Sequence, residues 1–175
     1  MSDNQRTIKS EATLQGVGLH TGETVNLTIC PAEGNHGYKF QRIDLENQPV
    51  IKADVDHVVG TDRGTTIEQK GARVHTVEHL LSALYGLGVD NALIKIDGPE
   101  VPIMDGSAFP FVEAIEKAGI EELDTPREYI ELDENIKWED TERGIEMLAV
   151  QDDEFRVNVM VEYNSPDLGK QHAMM

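Results

Sequence analysis

The stretch Thr76–Asn91, TVEHLLSALYGLGVDN, decides how this chain reads. Val77, Leu80, Leu81 and Leu84 recur at i, i+3, i+4 and i+7, the spacing of an apolar stripe facing a core, and predict a helix from Thr76 to about Tyr85. Gly86 and Gly88 supply its stop. Beyond them Asn91–Ile96 (NALIKI) reads as a strand and Asp97-Gly98-Pro99 as a turn. A second helix is expected from about Ser107 to Ala118, with Ala108, Phe111, Val112 and Ile115 on one face and Gly119 at its end.

Working outward, the opening third is strand-like. In Glu23–Pro31, Val25, Leu27 and Ile29 alternate with polar residues, the period of a half-buried strand. Ile8–Leu14 is expected as another strand. Between the two lies QGVGLHTG (Gln15–Gly22), whose three glycines mark a loop with unusual backbone angles. A Gly34-Asn35-His36-Gly37 turn leads into a strand at Tyr38–Ile43, and Pro49–Asp54 forms a further short one. Strands, a helix, a strand and a helix in that order define an α+β class, a two-layer sandwich with both helices on one side of a sheet.

Glu121–Arg127 (EELDTPR) is charged, contains a proline and reads as a linker. Beyond it Tyr129–Leu132, Ile145–Val150 and Phe155–Tyr163 alternate as strands, with no helical stripe to cover them. So thin a layer makes a poor independent domain. The expected organisation is a first domain over 1–126 and a strand-rich beginning of a second over 127–175, with the chain ending inside that second domain.

Across the 175 residues, 33 acidic side chains face 15 basic ones, a formal charge of -18. Such a surface repels phosphate backbones and anionic lipid, which argues against nucleic-acid or membrane-surface binding but not against a small anion in a locally basic cleft. Cys30 is alone, so neither a disulfide framework nor a cysteine zinc cluster is expected, and a reducing cytoplasm fits. The first 30 residues hold no signal-peptide pattern, and no apolar run approaches the length of a membrane span.

Chemistry concentrates in His75-Thr76-Val77-Glu78-His79. On a helix His75 and His79 share one face, with Glu78 on its shoulder, away from the leucines. Imidazole nitrogens ligate zinc, and a neighbouring carboxylate can take a proton from metal-bound water. A solvated polar face of an ordinary amphipathic helix competes with that reading. Taken literally, H-x-x-E-H is the inverted zinc-peptidase motif, with both histidines as ligands and Glu78 as base. It requires a third protein ligand, and no later helix offers a convincing Glu or His.

Three segments in order, GVGLHTG (Gly16–Gly22), TVEHLLSALYGLGVDN (Thr76–Asn91) and GPEVPIMDGSAFPFVEAI (Gly98–Ile115), resemble the N-terminal half of the UDP-3-O-acyl-N-acetylglucosamine deacetylases, zinc amidases that commit the pathway to lipid A. The similarity runs from about Thr7 to Ile120 and more loosely to the end of the chain. It implies two domains of ribosomal S5 domain 2-like type, each two helices on a five-stranded sheet, with the active site between them. It implies Glu78 as general base and His79 as one ligand of a Zn2+ ion, and leaves His75 outside the ligand set. Leu19 and His20 match a substrate-binding loop. Thr61, Asp62 and Arg63 fall near the acyl-chain passage, with Asp62 the candidate contact, and Asp105 matches an aspartate supporting the site. Asp105 reads equally as the turn and cap residue ahead of the second helix.

The family's other two ligands, a His and an Asp in H-K-x-x-D on a later helix, and a further His acting as acid, have no counterpart here. The expected partners are therefore a UDP-linked acylated glucosamine and the remainder of the second domain, and the chain by itself is expected to be inactive. Some family members continue into a fused hydroxyacyl-carrier-protein dehydratase. His172 lies in a strand-like tail, and His36 and His57 lie in turn or loop context. Besides the zinc peptidase, the competing reading is a non-catalytic interaction domain whose unpaired strands after Glu128 join a partner's sheet.

Overall fold

A computed structural model describes residues 4–175, which fall into two compact units, one up to Arg127 and one from Glu128. In the first unit the strands and helices run β1 (Asn4–Ile8), β2 (Ala12–Val17), β3 (Thr24–Cys30), β4 (Tyr38–Arg42), β5 (Val50–Lys52), β6 (Val58–Gly60), β7 (Thr66–Gln69), β8 (Ala72–Val74), α1 (Glu78–Gly86), β9 (Ala92–Ile96), α2 (Phe109–Ala118) and β10 (Ile120–Pro126). The class is α+β, with two helices and mostly antiparallel sheets. The main sheet has five strands in the order β2-β3-β9-β4-β5, and only the β4–β9 pair is parallel.

Alternation along these strands separates the two faces. Leu14, Val25, Leu27, Ile29, Phe40, Ile51, Ile94 and Ile96 point into one apolar core, which also takes Leu80 and Leu84 of α1 and Phe111 and Ile115 of α2. Opposite faces carry polar ladders: Thr13 Oγ1 lies 3.2 Å from Thr28 Oγ1, and Gln15 Nε2 donates to Asn26 Oδ1 at 2.9 Å. Helices and sheet thus share one core on one side, while the other side is wet.

Several expectations need correcting. Ile8–Leu14 is not one strand: β1 ends at Ile8 and β2 starts at Ala12, because β1 pairs with β10 and β2 pairs with β3. Lys9 at the break donates its N–H to Gly119 O at 2.9 Å. The segment expected as a linker is β10, antiparallel to β1 with Ile8 opposite Ile120 and Thr7 opposite Glu121. Its acidic composition reflects an exposed strand, with only Ile120, Leu123 and Thr125 half-buried. The small β6-β7-β8 sheet is absent from the sequence-based expectation, since strands of three or four residues carry too few alternations to stand out.

The second unit consists of two hairpins, β11 (Ile136–Asp140) with β12 (Ile145–Ala149) and β13 (Asn158–Glu162) with β14 (Lys170–Met174). Tyr129–Leu132, expected as a strand, is irregular, and Ile136–Asp140 takes the pairing instead. None of residues 128–175 is buried, and Trp138 and Met147, directly paired across β11 and β12, are 52% and 63% exposed. Isolated hairpins of this kind lack a core of their own.

Candidate active site

The chain enters α1 through a tight change of direction. Thr76 has φ +59, a left-handed conformation that is costly for a β-branched residue. It separates two structurally different neighbours. On one side His75 continues an extended segment beside Glu100, its N–H donating to Pro99 O at 2.9 Å and its carbonyl accepting from Val101 N–H at 3.0 Å. On the other, α1 begins at Glu78. His75 is therefore off the helix, its Nδ1 2.9 Å from Thr66 Oγ1, and does not share a helix face with His79. This corrects the helical reading of H-x-x-E-H and removes the geometry that an inverted peptidase motif requires.

Glu78 and His79 sit together at the head of α1, both half-buried. One oxygen of Glu78, Oε2, accepts the N–H of Thr65 at 3.0 Å. The other, Oε1, abuts Gly64, where an added Cβ would lie 3.2 Å away. Among the described residues the His79 ring makes no hydrogen bond, so its nitrogens are available. Arg63, one residue before Gly64, offers its carbonyl to His20 Nε2 at 3.1 Å, which ties the Thr61–Thr65 loop to the glycine-rich turn.

A cleft of about 400 Å³ opens here, lined by His20, Thr21, Asp62, Arg63, His75 and Thr76, with Gly60, Gly64 and Thr66. Leu19 stands beside it, 58% exposed. The structure thus brings His20 and Asp62 to one cleft with Glu78 at its Gly64 edge. Asp105 lies elsewhere: with Gln15, Val17, Ile103, Met104 and Pro110 it lines a second groove of about 440 Å³. Its carboxylate accepts the Ser107 N–H at 2.9 Å and the Ser107 hydroxyl at 2.8 Å, and these bonds hold it below the ordinary aspartate range. His172 is on β14, opposite Met160. His36 Nδ1 is 3.0 Å from Gly37 O, and His57 pairs with Asp54.

One residue at the site escapes a reading of the sequence. Glu100 is completely buried, yet its carboxylate accepts Thr21 N–H at 2.8 Å, Thr76 Oγ1–H at 2.8 Å and His20 N–H at 3.1 Å. Burial pushes this carboxyl up, and the bonds from Thr21, Thr76 and His20 outweigh burial, leaving it below its ordinary value of 4.5. No pattern in the sequence marks it, because its donors come from a turn some 80 positions upstream and from Thr76.

Among the described residues, no group of three His, Cys, Asp or Glu side chains converges as a metal site. His79 offers one donor nitrogen and Glu78 an adjacent carboxylate, which fit part of a three-ligand zinc site and not the whole of one. The fold and cleft define an α+β domain presenting a carboxylate–imidazole pair at a helix head, a pair suited to proton transfer and to holding a metal.

The chain belongs to the UDP-3-O-acyl N-acetylglycosamine deacetylase family, whose sequence profile matches residues 5–175. It is 48% identical over 170 residues to a bifunctional LpxC/FabZ enzyme of Chlorobaculum tepidum, covering 97% of this chain and 36% of the relative. It is 44% identical over 166 residues to the UDP-3-O-acyl-N-acetylglucosamine deacetylase of Methylococcus capsulatus (95% and 54% covered). The deacetylase of Acidithiobacillus ferrooxidans is 46% identical over 162 residues (93% and 53% covered). The chain spans between about a third and a half of the length of these curated relatives.

Proposed function

We propose that this chain supplies the first half of a zinc-dependent active site that hydrolyses the acetamide of UDP-3-O-(3-hydroxyacyl)-N-acetylglucosamine, the committing step of lipid A biosynthesis. The observation that carries the proposal is the Glu78–His79 pair at the head of α1, beside a cleft lined by His20 and Asp62, in a chain that belongs to this deacetylase family. Residues 1–126 are the first domain and 127–175 the start of the second, both of the S5 domain 2-like type. The remaining ligands, a His and an Asp on one helix, come from parts of the relatives that this chain does not span. The -18 charge suits a cytoplasmic enzyme.

Hydrolysis adds water to the acetamide carbonyl and breaks its C–N bond, leaving acetate and a free amine. Zinc, when bound, supplies a Lewis acid that polarises the carbonyl and acidifies the attacking water. Glu78 takes the proton of that water. Its Oε2 stays anchored on the Thr65 N–H, which fixes the carboxylate plane and leaves Oε1 free to receive the proton. His79 contributes one imidazole nitrogen to the metal. Leu19, His20 and Asp62 contact the UDP-sugar substrate, while Asp105 orders the turn ahead of α2 through its bonds from Ser107.

The test is Glu78→Gln in the full-length protein. The amide keeps the size and the Thr65 contact, so zinc is retained while kcat falls by about 10²–10⁴. A variant with near wild-type kcat would refute the role of Glu78 as general base.

A further inference from the structure

Glu100 is a buried carboxylate that does not itself line the cleft but holds three residues that do, His20, Thr21 and Thr76. Its three donors belong to two separate pieces of chain: the His20–Thr21 turn and the Thr76 hydroxyl. The backbone is shaped to close over it. A Cβ at Gly18 would lie 2.5 Å from Glu100 Oε2 and 2.4 Å from Thr21 Oγ1, so only glycine allows the turn to fold onto the carboxylate. Thr76, in its left-handed conformation, is the point where the chain turns from the His75 strand segment into α1. Backbone strain of this kind persists only where surrounding contacts over-determine it. The 2.8 Å bond from Thr76 Oγ1 to Glu100 is such a contact, and Glu78 lies two residues on.

We propose that Glu100 is a positioning residue: it clamps the His20–Thr21 turn and the Thr76 turn to a common anchor, and thereby sets where Glu78 stands relative to the His20 side of the cleft. The inference rests on the deacetylase reading for its catalytic consequence, while its structural half stands alone. Glu100 touches neither substrate nor metal in this role. It acts through Thr76 on the helix head and through two backbone N–H groups on the turn. A carboxylate suits the task because it accepts from three donors at once, and bonds to a charged acceptor are about twice as strong as neutral ones. The side-chain amide introduced by Glu100→Gln has one accepting oxygen. It can serve the two turn N–H groups, with its NH2 donating to the Thr76 hydroxyl, so Glu100→Gln keeps the contacts and loses the charge, whereas Glu100→Ala loses both.

The experiment has a structural arm and a catalytic arm. In the 175-residue chain, amide hydrogen exchange is followed at His20 and Thr21 with Gly18 as internal reference, since Gly18 N–H donates to Glu23 O and not to Glu100. His20 and Thr21 are exposed residues whose amide protection comes from Glu100. Glu100→Ala is expected to speed their exchange by about 10-fold or more relative to Gly18, and Glu100→Gln by less. Unchanged exchange at both amides overturns the proposal.

In the full-length protein, Glu100→Ala and Thr76→Val are expected to lower kcat by about 10- to 100-fold, as misplacement of a reacting group does. Thr76→Val, which leaves the His20 and Thr21 bonds to Glu100 in place, keeps KM within about 2-fold, whereas Glu100→Ala also raises KM because it frees the turn that carries His20. Thr76→Ser, which restores the hydroxyl, is expected to recover most of that loss. In a Glu78→Gln background Glu100→Ala should cost little more, because the residue it positions is already disabled. A full additional loss in that background, or no recovery by Thr76→Ser, overturns the positioning role. Thr76→Val removes one hydroxyl and keeps the side-chain shape, so it carries the test if Glu100→Ala does not fold. A wild-type protein without deacetylase activity overturns the functional reading itself, and the exchange arm then still decides whether Glu100 holds the turn.

Discussion

Two glycines at the end of α1 make opposite predictions. Gly88 ends the helix in a left-handed conformation, φ +66, with its N–H donating to Tyr85 O at 2.9 Å and Val89 N–H donating to Leu84 O at 2.9 Å. This is the paired-bond C-terminal motif that favours glycine. An added Cβ at Gly88 would lie 2.0 Å from Arg6 Nη2. That guanidinium caps the helix carbonyls, Nη2 donating to Leu87 O at 2.6 Å and Nε to Gly88 O at 2.8 Å. Gly88→Ala therefore incurs a left-handed strain of about 1–2 kcal/mol. It also displaces an Arg6 bond worth about 1.5–3 kcal/mol as a charged hydrogen bond. Partial relaxation of the arginine brings the total to about 2–4 kcal/mol.

Gly86, two residues earlier, has open space around its Cβ position, and Gly86→Ala should gain about 0.5–1 kcal/mol from helix propensity. The assay is urea unfolding followed by far-UV circular dichroism at the helix band. Fluorescence would be the wrong probe, because the single tryptophan, Trp138, lies in the second unit. With ordinary urea slopes the Gly88→Ala midpoint drops by about 1–2 M while that of Gly86→Ala holds or rises. Equal shifts in the two variants, or a Gly88→Ala midpoint at the wild-type value, would refute both the cap and the Arg6 argument.

Two further outcomes follow from burial and charge. Leu84→Ala removes a completely buried side chain where α1 meets the core and should cost about 2–5 kcal/mol, read from the same unfolding curves; a loss below about 1 kcal/mol would contradict the packing described. Glu100 titrates below its ordinary value of 4.5 in the folded chain, so the stability it contributes is fully present above that value and is lost as pH falls through the lower folded one. Glu100→Gln lacks this contribution, and its urea midpoint should therefore fall less than that of the wild type between about pH 5 and pH 3. Parallel losses would show that folding does not lower the Glu100 carboxyl.

Much of the first unit is legible in the sequence because its signals are local. The leucine stripe after Val77, the alternation of Val25, Leu27 and Ile29, and the glycines at 86, 88 and 119 each mark an element through its own residues. What the sequence hides depends on partners distant along the chain. β10 resembles a linker because an edge strand with one wet face can be as acidic as a tether, and only its pairing with β1 distinguishes the two. His75 reads as helical because the stripe can be extrapolated backward through Thr76, and nothing in the sequence announces a threonine at φ +59. Glu100 draws no assignment from the sequence, since a buried carboxylate is recognised by its donors and two of these are backbone N–H groups. Glu78 and His79 stand out through motif resemblance. Their placement at the head of α1 beside the His20 cleft is a finding of the structure.

The most direct test of the account is the zinc content of the full-length protein beside its His79→Ala and His75→Ala variants, measured after exhaustive dialysis. The account predicts that His79→Ala loses the metal and that His75→Ala retains it at the wild-type ratio, since His75 is held by Thr66 and lies off the helix. Loss of zinc in His75→Ala to the same extent as in His79→Ala would contradict it.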